Sequence, residues 1–216
     1  MNYETERCPH CKIKLDTIPS RKTICPFCKE SIYINADILT GTKILVTKSE
    51  AKQITLDNKK IRLVTSDTRI SKESIITRTK ALSKKAGVVI SIGDTIWGLY
   101  NERIAQNTDN YQEMKSLYYQ MALFLNIEGK DFSNVLSESK KWELMDFKRN
   151  GLIKRVTVSN DPGCESCAQL SKKIFLLDDA IKLMPLPNKN CTFSLDKGKP
   201  GFCRCYYTID LSSYRT

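Results

Sequence analysis

Nine cysteines stand in two groups at opposite ends of a 216-residue chain, at positions 8, 11, 25 and 28 and then at 164, 167, 191, 203 and 205, with none in the 135 residues from 29 to 163. Thiols spaced this tightly signal metal ligation where the compartment keeps them reduced, and disulfides where it does not. The opening Met1-Asn2-Tyr3-Glu4 carries acid where a secretion signal carries base, and no apolar run approaches the roughly 18 residues of a membrane helix. A cytoplasmic, metal-binding chain is therefore expected. Its single histidine, His10, leaves no partner for a Ser/His/Asp triad, an HNH-type nuclease or an HExxH metalloprotease. Acid–base chemistry would fall to carboxylates, Lys or Tyr.

Residues 5–38 read Cys8-Pro9-His10-Cys11, thirteen residues, Cys25-Pro26-Phe27-Cys28, then the β-favouring Ser31-Ile32-Tyr33-Ile34. A segment this short builds no apolar core of its own. Two CxxC turns hold four sulfurs tetrahedrally around one zinc at about 2.3 Å, and the metal supplies the folding energy that packing lacks. Cys8, Cys11, Cys25 and Cys28 are the expected ligands, a redox CxxC pair being the alternative. His10 sits in a turn already supplied with ligands and is expected to be exposed. This end resembles the zinc-ribbon family, and the resemblance implies a metal-pinned β-hairpin platform for nucleic acid or protein. Gly41-Thr42 reads as a turn and Lys43–Thr47 as a strand closing the ribbon or leading away from it.

Residues 48–70 alternate short apolar runs with base and are expected to form a basic linker with some structure. Four helices should follow over 71–150. Ser71 caps the first, which Gly87 stops, with Ile75, Thr79, Leu82 and Ala86 on one face. Asp94 caps the second, with Ile96, Trp97, Tyr100 and Ile104 inward. In the third, Met114, Leu117, Tyr118, Met121, Ala122 and Leu125 recur at three- and four-residue spacing before Gly129. Asp131 caps the fourth, with Val135, Leu136, Trp142 and Met145 inward and Gly151 behind it. Short connections favour antiparallel packing of the last three. Their aromatic and Met stripes read as core, and no small-molecule substrate is inferred.

The C-terminal segment, 151–216, opens on a strand from Ile153 to Val158, turns at Asp161-Pro162-Gly163 and enters Cys164-Glu165-Ser166-Cys167. A short helix over Asp178–Met184, Pro185-Leu186-Pro187, Cys191 and Cys203-Arg204-Cys205 follow. Cys203 and Cys205, two apart, would present both thiols to one face of a strand and meet the Cys164/Cys167 turn. Five candidates compete for four places, and Cys191 is expected to be the spare, because the other four suffice without it. The Cys164/Cys167 pair, Phe175, the Pro185-Leu186-Pro187 run and the closing Cys203-Arg204-Cys205 resemble the C-terminal module of phage head-morphogenesis (minor capsid) proteins, over residues 152–210. There a Pro-His-Pro-type stretch precedes the CRC, so the resemblance implies a ligand in that place, for which Cys191 is the nearest residue here.

The fold class expected is α+β: a small zinc ribbon over 1–47, the linker, a helical middle and a Cys-rich α+β metal module, with two zinc ions in all. Lys and Arg number 35 against 24 acids, a formal +11, which two dications held by eight thiolates would lower by four to +7. Residues 51–100 hold 10 bases and 4 acids and are the basic quarter. Such an excess favours phosphate backbones. Lys59, Lys60, Arg62, Arg69 and Lys72 are the expected nucleic-acid contacts. The function expected is a non-enzymatic adaptor on nucleic acid or a nucleoprotein assembly, for which the resemblance implies a phage or mobile-element origin. The rivals are a zinc-stabilised protein-interaction module and a hydrolase or nuclease working through an open metal site or Asp161, Glu165, Asp178 and Asp179.

Overall fold

The computed structural model describes residues 5–67, 70–160, 164–195 and 201–212, so Arg69 and Asp161 lie outside the described residues. The architecture is mixed α+β, with seven helices and two small antiparallel sheets among those residues. Two compact units divide the chain, Met1–Gly98 and Leu99–Thr216. The 71–150 stretch thus contributes to both. No helix of the described residues is long and apolar enough to cross a membrane.

In the first unit β1 (Thr23–Ile24), β2 (Ser31–Ala36) and β3 (Lys43–Val46) pair in that order, with Thr23 opposite Ile32 and Tyr33 opposite Val46. Between β2 and β3 the chain reverses at Asp37, whose Oδ1 accepts from the N–H groups of Leu39 and Thr40 at 2.8 Å, and at Gly41, which takes φ +75°. A side-chain acceptor and a left-handed glycine are what such a turn needs.

The expected linker is instead α1 (Lys48–Asp67), twenty residues long. Thr47 and Glu50 bond reciprocally at its start, Glu50 N–H to Thr47 Oγ1 at 3.3 Å and Thr47 N–H to Glu50 Oε2 at 2.7 Å, a capping box. Ile54, Ile61 and Val64 bury one face of it, each contributing about 1.5–3 kcal/mol. The helix packs on β2, β3 and the helix that follows it. The next helix, α2 (Lys72–Ala86), begins at Ser71, whose side chain accepts from Ser74 N–H, and ends at left-handed Gly87, as expected. Ile75 and Thr79 are buried on its inner face, but Ala86 is exposed because the contact face ends a turn earlier.

The cap of α3 (Ile92–Gln106) is Ser91 rather than Asp94: Ser91 Oγ accepts from Asp94 N–H at 3.0 Å and donates to Asp94 Oδ2 at 2.7 Å. In the second unit α4 (Tyr111–Glu128) and α5 (Ser133–Asn150) run antiparallel, since Gln112 reaches Asp146 while Lys115 reaches Glu143. The N-cap position of α5 is Phe132 rather than the expected Asp131; Asp131 stands one residue outside it and accepts from Ser133 N–H at 2.9 Å, which holds its carboxyl below the usual range. Leu136 and Leu144 are buried as the helical period requires, and with them Ser139, Lys140 and Glu143. Trp142 and Met145 are only half-buried.

The second sheet places β4 (Arg155–Ser159) between β5 (Ile174–Leu176) and β6 (Tyr206–Ile209). Val156 and Val158 alternate inward along β4, which packs on α6 (Glu165–Ser171) and α7 (Leu177–Leu183); α6 starts at the Cys164 turn. Cys203 and Cys205 precede β6 instead of lying on it. Both are nevertheless buried, with Arg204 exposed between them.

Candidate metal centres and a basic groove

The two N-terminal turns are built alike. In each, the residue after the second cysteine, Lys12 at φ 62° or Lys29 at φ 63°, takes the left-handed conformation. The N–H of that residue then bonds the first cysteine's carbonyl at 3.0 Å, and Cys8 N–H and Cys25 N–H close the loops on Ile13 O and Glu30 O. All four sulfurs converge within 4.8 Å of one another. Cys8 Sγ lies 3.8 Å from Cys28 Sγ, and Cys11 Sγ 3.9 Å from Cys25 Sγ. A tetrahedron of thiolates about 2.3 Å from a central ion has edges of about 3.8 Å, so the quartet fits one four-coordinate ion.

Backbone donors prepare these sulfurs for charge. Burial opposes ionisation of Cys25, but the N–H groups of Cys28 and Phe27 and the adjacent thiols outweigh it and bring Cys25 down to about 6. For Cys28 the Glu30 N–H pulls downward, and burial with the three neighbouring sulfurs outweighs it, pushing that thiol up to about 12. His10 is exposed and turned away, its Nε2 3.2 Å from Ser31 O, and takes no part in the quartet.

Five buried cysteines gather in the second unit, but not as the expected quartet of Cys164, Cys167, Cys203 and Cys205. Two triads close, Cys164/Cys167/Cys191 and Cys167/Cys203/Cys205, each with its sulfurs within 4.8 Å, and they share Cys167. Cys191, expected to stand aside, is a full member. Position 191 is brought in by Asn188, whose carbonyl accepts Cys191 N–H at 3.0 Å. Cys203 is brought down to about 5, chiefly by the Cys205 thiol and against burial, and Cys164 comes down to about 7 because N–H and thiol donors outweigh its burial. Burial pushes Cys191 up and Cys167 up to about 11.

Behind this cluster lies a polar trio that the hydrophobic pattern of α5 did not disclose. Glu143 Oε1 accepts from Lys115 Nζ at 2.5 Å, and its Oε2 accepts Tyr207 N–H at 3.3 Å and stands 3.8 Å from Lys140 Nζ. Lys140 is buried, which lowers its pKa, while the charges of Glu143, Cys203 and Cys205 act to raise it. The carboxylates considered for a nuclease are not gathered. Glu165, Asp178 and Asp179 are exposed, Asp178 pairs with Lys148 at 2.9 Å, and among the described residues only cysteines converge in threes or more.

The expected nucleic-acid contacts separate. Lys60 is 4% exposed, its Nζ 3.4 Å from Asp57 Oδ1, and it points into the fold. Arg62 is exposed, and Lys72 borders a different depression with Ile38, Leu39 and Gly41. Lys59 instead joins Lys48, Lys52 and Thr55 along one stripe of α1, at the three-, four- and seven-residue spacings that keep side chains on one face. That stripe faces Tyr33 of β2 across a shallow groove of about 400 Å³, and Lys22 Nζ lies 4.9 Å from the Tyr33 ring centroid. Lys48 and Lys52 share a face only once 48–67 is helical, and Lys22 meets Tyr33 only through the pairing of β1 with β2, so neither is visible in the sequence pattern.

No protein-family model, curated protein or solved structure matches this chain.

Proposed function

We propose that the protein is a zinc-binding, non-enzymatic adaptor of the cytoplasm that holds nucleic acid, alone or in a nucleoprotein assembly, in the groove between the ribbon and α1. The observation that carries this reading is the convergence of Lys48, Lys52 and Lys59 on one groove walled by Tyr33, with Lys22 Nζ 4.9 Å from that ring. Lysines arranged along a groove neutralise successive phosphates without reading base edges. The N-terminal quartet suits zinc, because a closed four-thiolate site of this kind is structural. The likeness of residues 152–210 to the phage module is compatible with a part in such an assembly.

The test is binding of the full chain to a fluorescent DNA duplex across a salt series. Four lysine contacts predict a log–log slope of about −3.6, and Lys48→Ala, Lys52→Ala and Lys59→Ala together should flatten it by about 2.7 with metal content unchanged. An unchanged slope in the triple variant would remove the groove from the account. A failure of duplex and single strands alike to bind at low salt would pass the lead to a protein-interaction module, which exposed Val88 and Val89 favour.

A further inference from the structure

Five sulfurs surround a place where one tetrahedral ion needs four. In the N-terminal cluster four sulfurs are mutually close; in the C-terminal one no set of four is, and only the two triads close. A single ion with four thiolates would require the second triad to shift onto the first. Two ions, each held by one triad, would not.

From this geometry we infer that the C-terminal cluster is a two-ion site in which Cys167 bridges, one ion taking Cys164, Cys167 and Cys191 and the other Cys167, Cys203 and Cys205. Zinc suits both places, since it binds thiolates without geometric preference from its d electrons. The fourth position on each ion goes to a small donor such as water.

Three further observations agree with the bridge. Cys167 is completely buried, and its sulfur stands 3.8 Å from that of Cys203, a tetrahedral edge. The Asn188 amide is locked by Asn190 N–H on its oxygen at 3.0 Å and by Ser166 Oγ at 2.8 Å from its nitrogen, and that nitrogen lies 3.5 Å from Cys167 Sγ. The shared thiol thus has a side-chain amide donor, the kind of outer contact that orients a ligand and holds its charge. The charges also balance better. Five thiolates on two dications leave one negative charge, matched by the single positive charge of Lys115, Lys140 and Glu143 together; four thiolates on one dication leave two. A buried site favours the smaller imbalance.

This inference does not depend on the nucleic-acid reading, whose assay reports on Lys48, Lys52 and Lys59. The test is titration of the reduced, metal-free full chain with cadmium, followed through the thiolate-to-cadmium charge-transfer band. Wild type should saturate at three ions per chain and the Cys8→Ser/Cys11→Ser variant at two. Cys191→Ser should lose one ion, and Cys167→Ser should lose both C-terminal ions. Cadmium NMR on the wild type needs no variant: the β-protons of Cys167 should couple to two cadmium signals. Saturation of wild type at two ions, or coupling of Cys167 to one cadmium alone, overturns the proposal.

Discussion

The two cysteine clusters differ less in their ligands than in what surrounds them. Around Cys8, Cys11, Cys25 and Cys28 the buried apolar side chains are Leu15, Ile32 and Leu45, while Ile13, Ile18, Ile24 and Phe27 lie exposed nearby. Cysteines are half of the residues in that cluster, counting the partly buried Cys11, Cys28 and Ile34. Around Cys164, Cys167, Cys191, Cys203 and Cys205 stand Leu136, Leu144, Val156, Val158, Leu177, Leu186, Phe202 and Tyr207, all buried. There the sulfurs occupy one side of a core that exists without them. The same thiol chemistry therefore carries different loads: in the first cluster bound metal substitutes for hydrophobic burial, and in the second it adds to it.

The largest effect that separates the two belongs to Phe202. Its ring is fully buried, 5.0 Å from the Phe132 centroid and 5.8 Å from that of Tyr119. Phe202→Ala should cost about 4 kcal/mol in the second unit. Thermal unfolding followed by residue-resolved NMR should show the loss there and none in the N-terminal turns. Equal loss in both would break the distinction.

A smaller effect tests the polar trio. Glu143→Leu leaves Lys115 and Lys140 without their carboxylate and should cost about 3 kcal/mol, because a buried charge loses its partner. Adding Lys140→Met should recover part of that cost. Denaturant unfolding of the single and double variants checks both expectations.

Much of this was legible before any coordinates. The N-terminal quartet followed from matched CxxC spacing, and α4 from a helical stripe ending at Gly129, because both signals are local and periodic. The basic helix α1 was not, although Thr47 and Glu50 form a capping box in plain view. Its inner face is thin, with Ile54, Ile61 and Val64 separated by base and Lys60 among them, so charge masked the period. Placing Cys191 required the path of the loop after Pro187, which Asn188 fixes through contacts to residues 22 positions away and its own backbone neighbours. The burial of Lys140 and Glu143 was equally out of reach, since their partners Lys115 and Tyr207 lie 28 and 64 residues from Glu143.

Hydrogen exchange on the chain before and after removal of metal under reducing conditions tests most directly whether the two clusters carry different loads. The account predicts that the amides of Cys8, Lys12, Cys25 and Lys29, whose bonds close the N-terminal turns, lose protection when the metal leaves. The amides of Met121 and Leu144, in helices packed around an apolar core, should remain protected. Retained protection in the N-terminal turns, or collapse of both regions together, would contradict it.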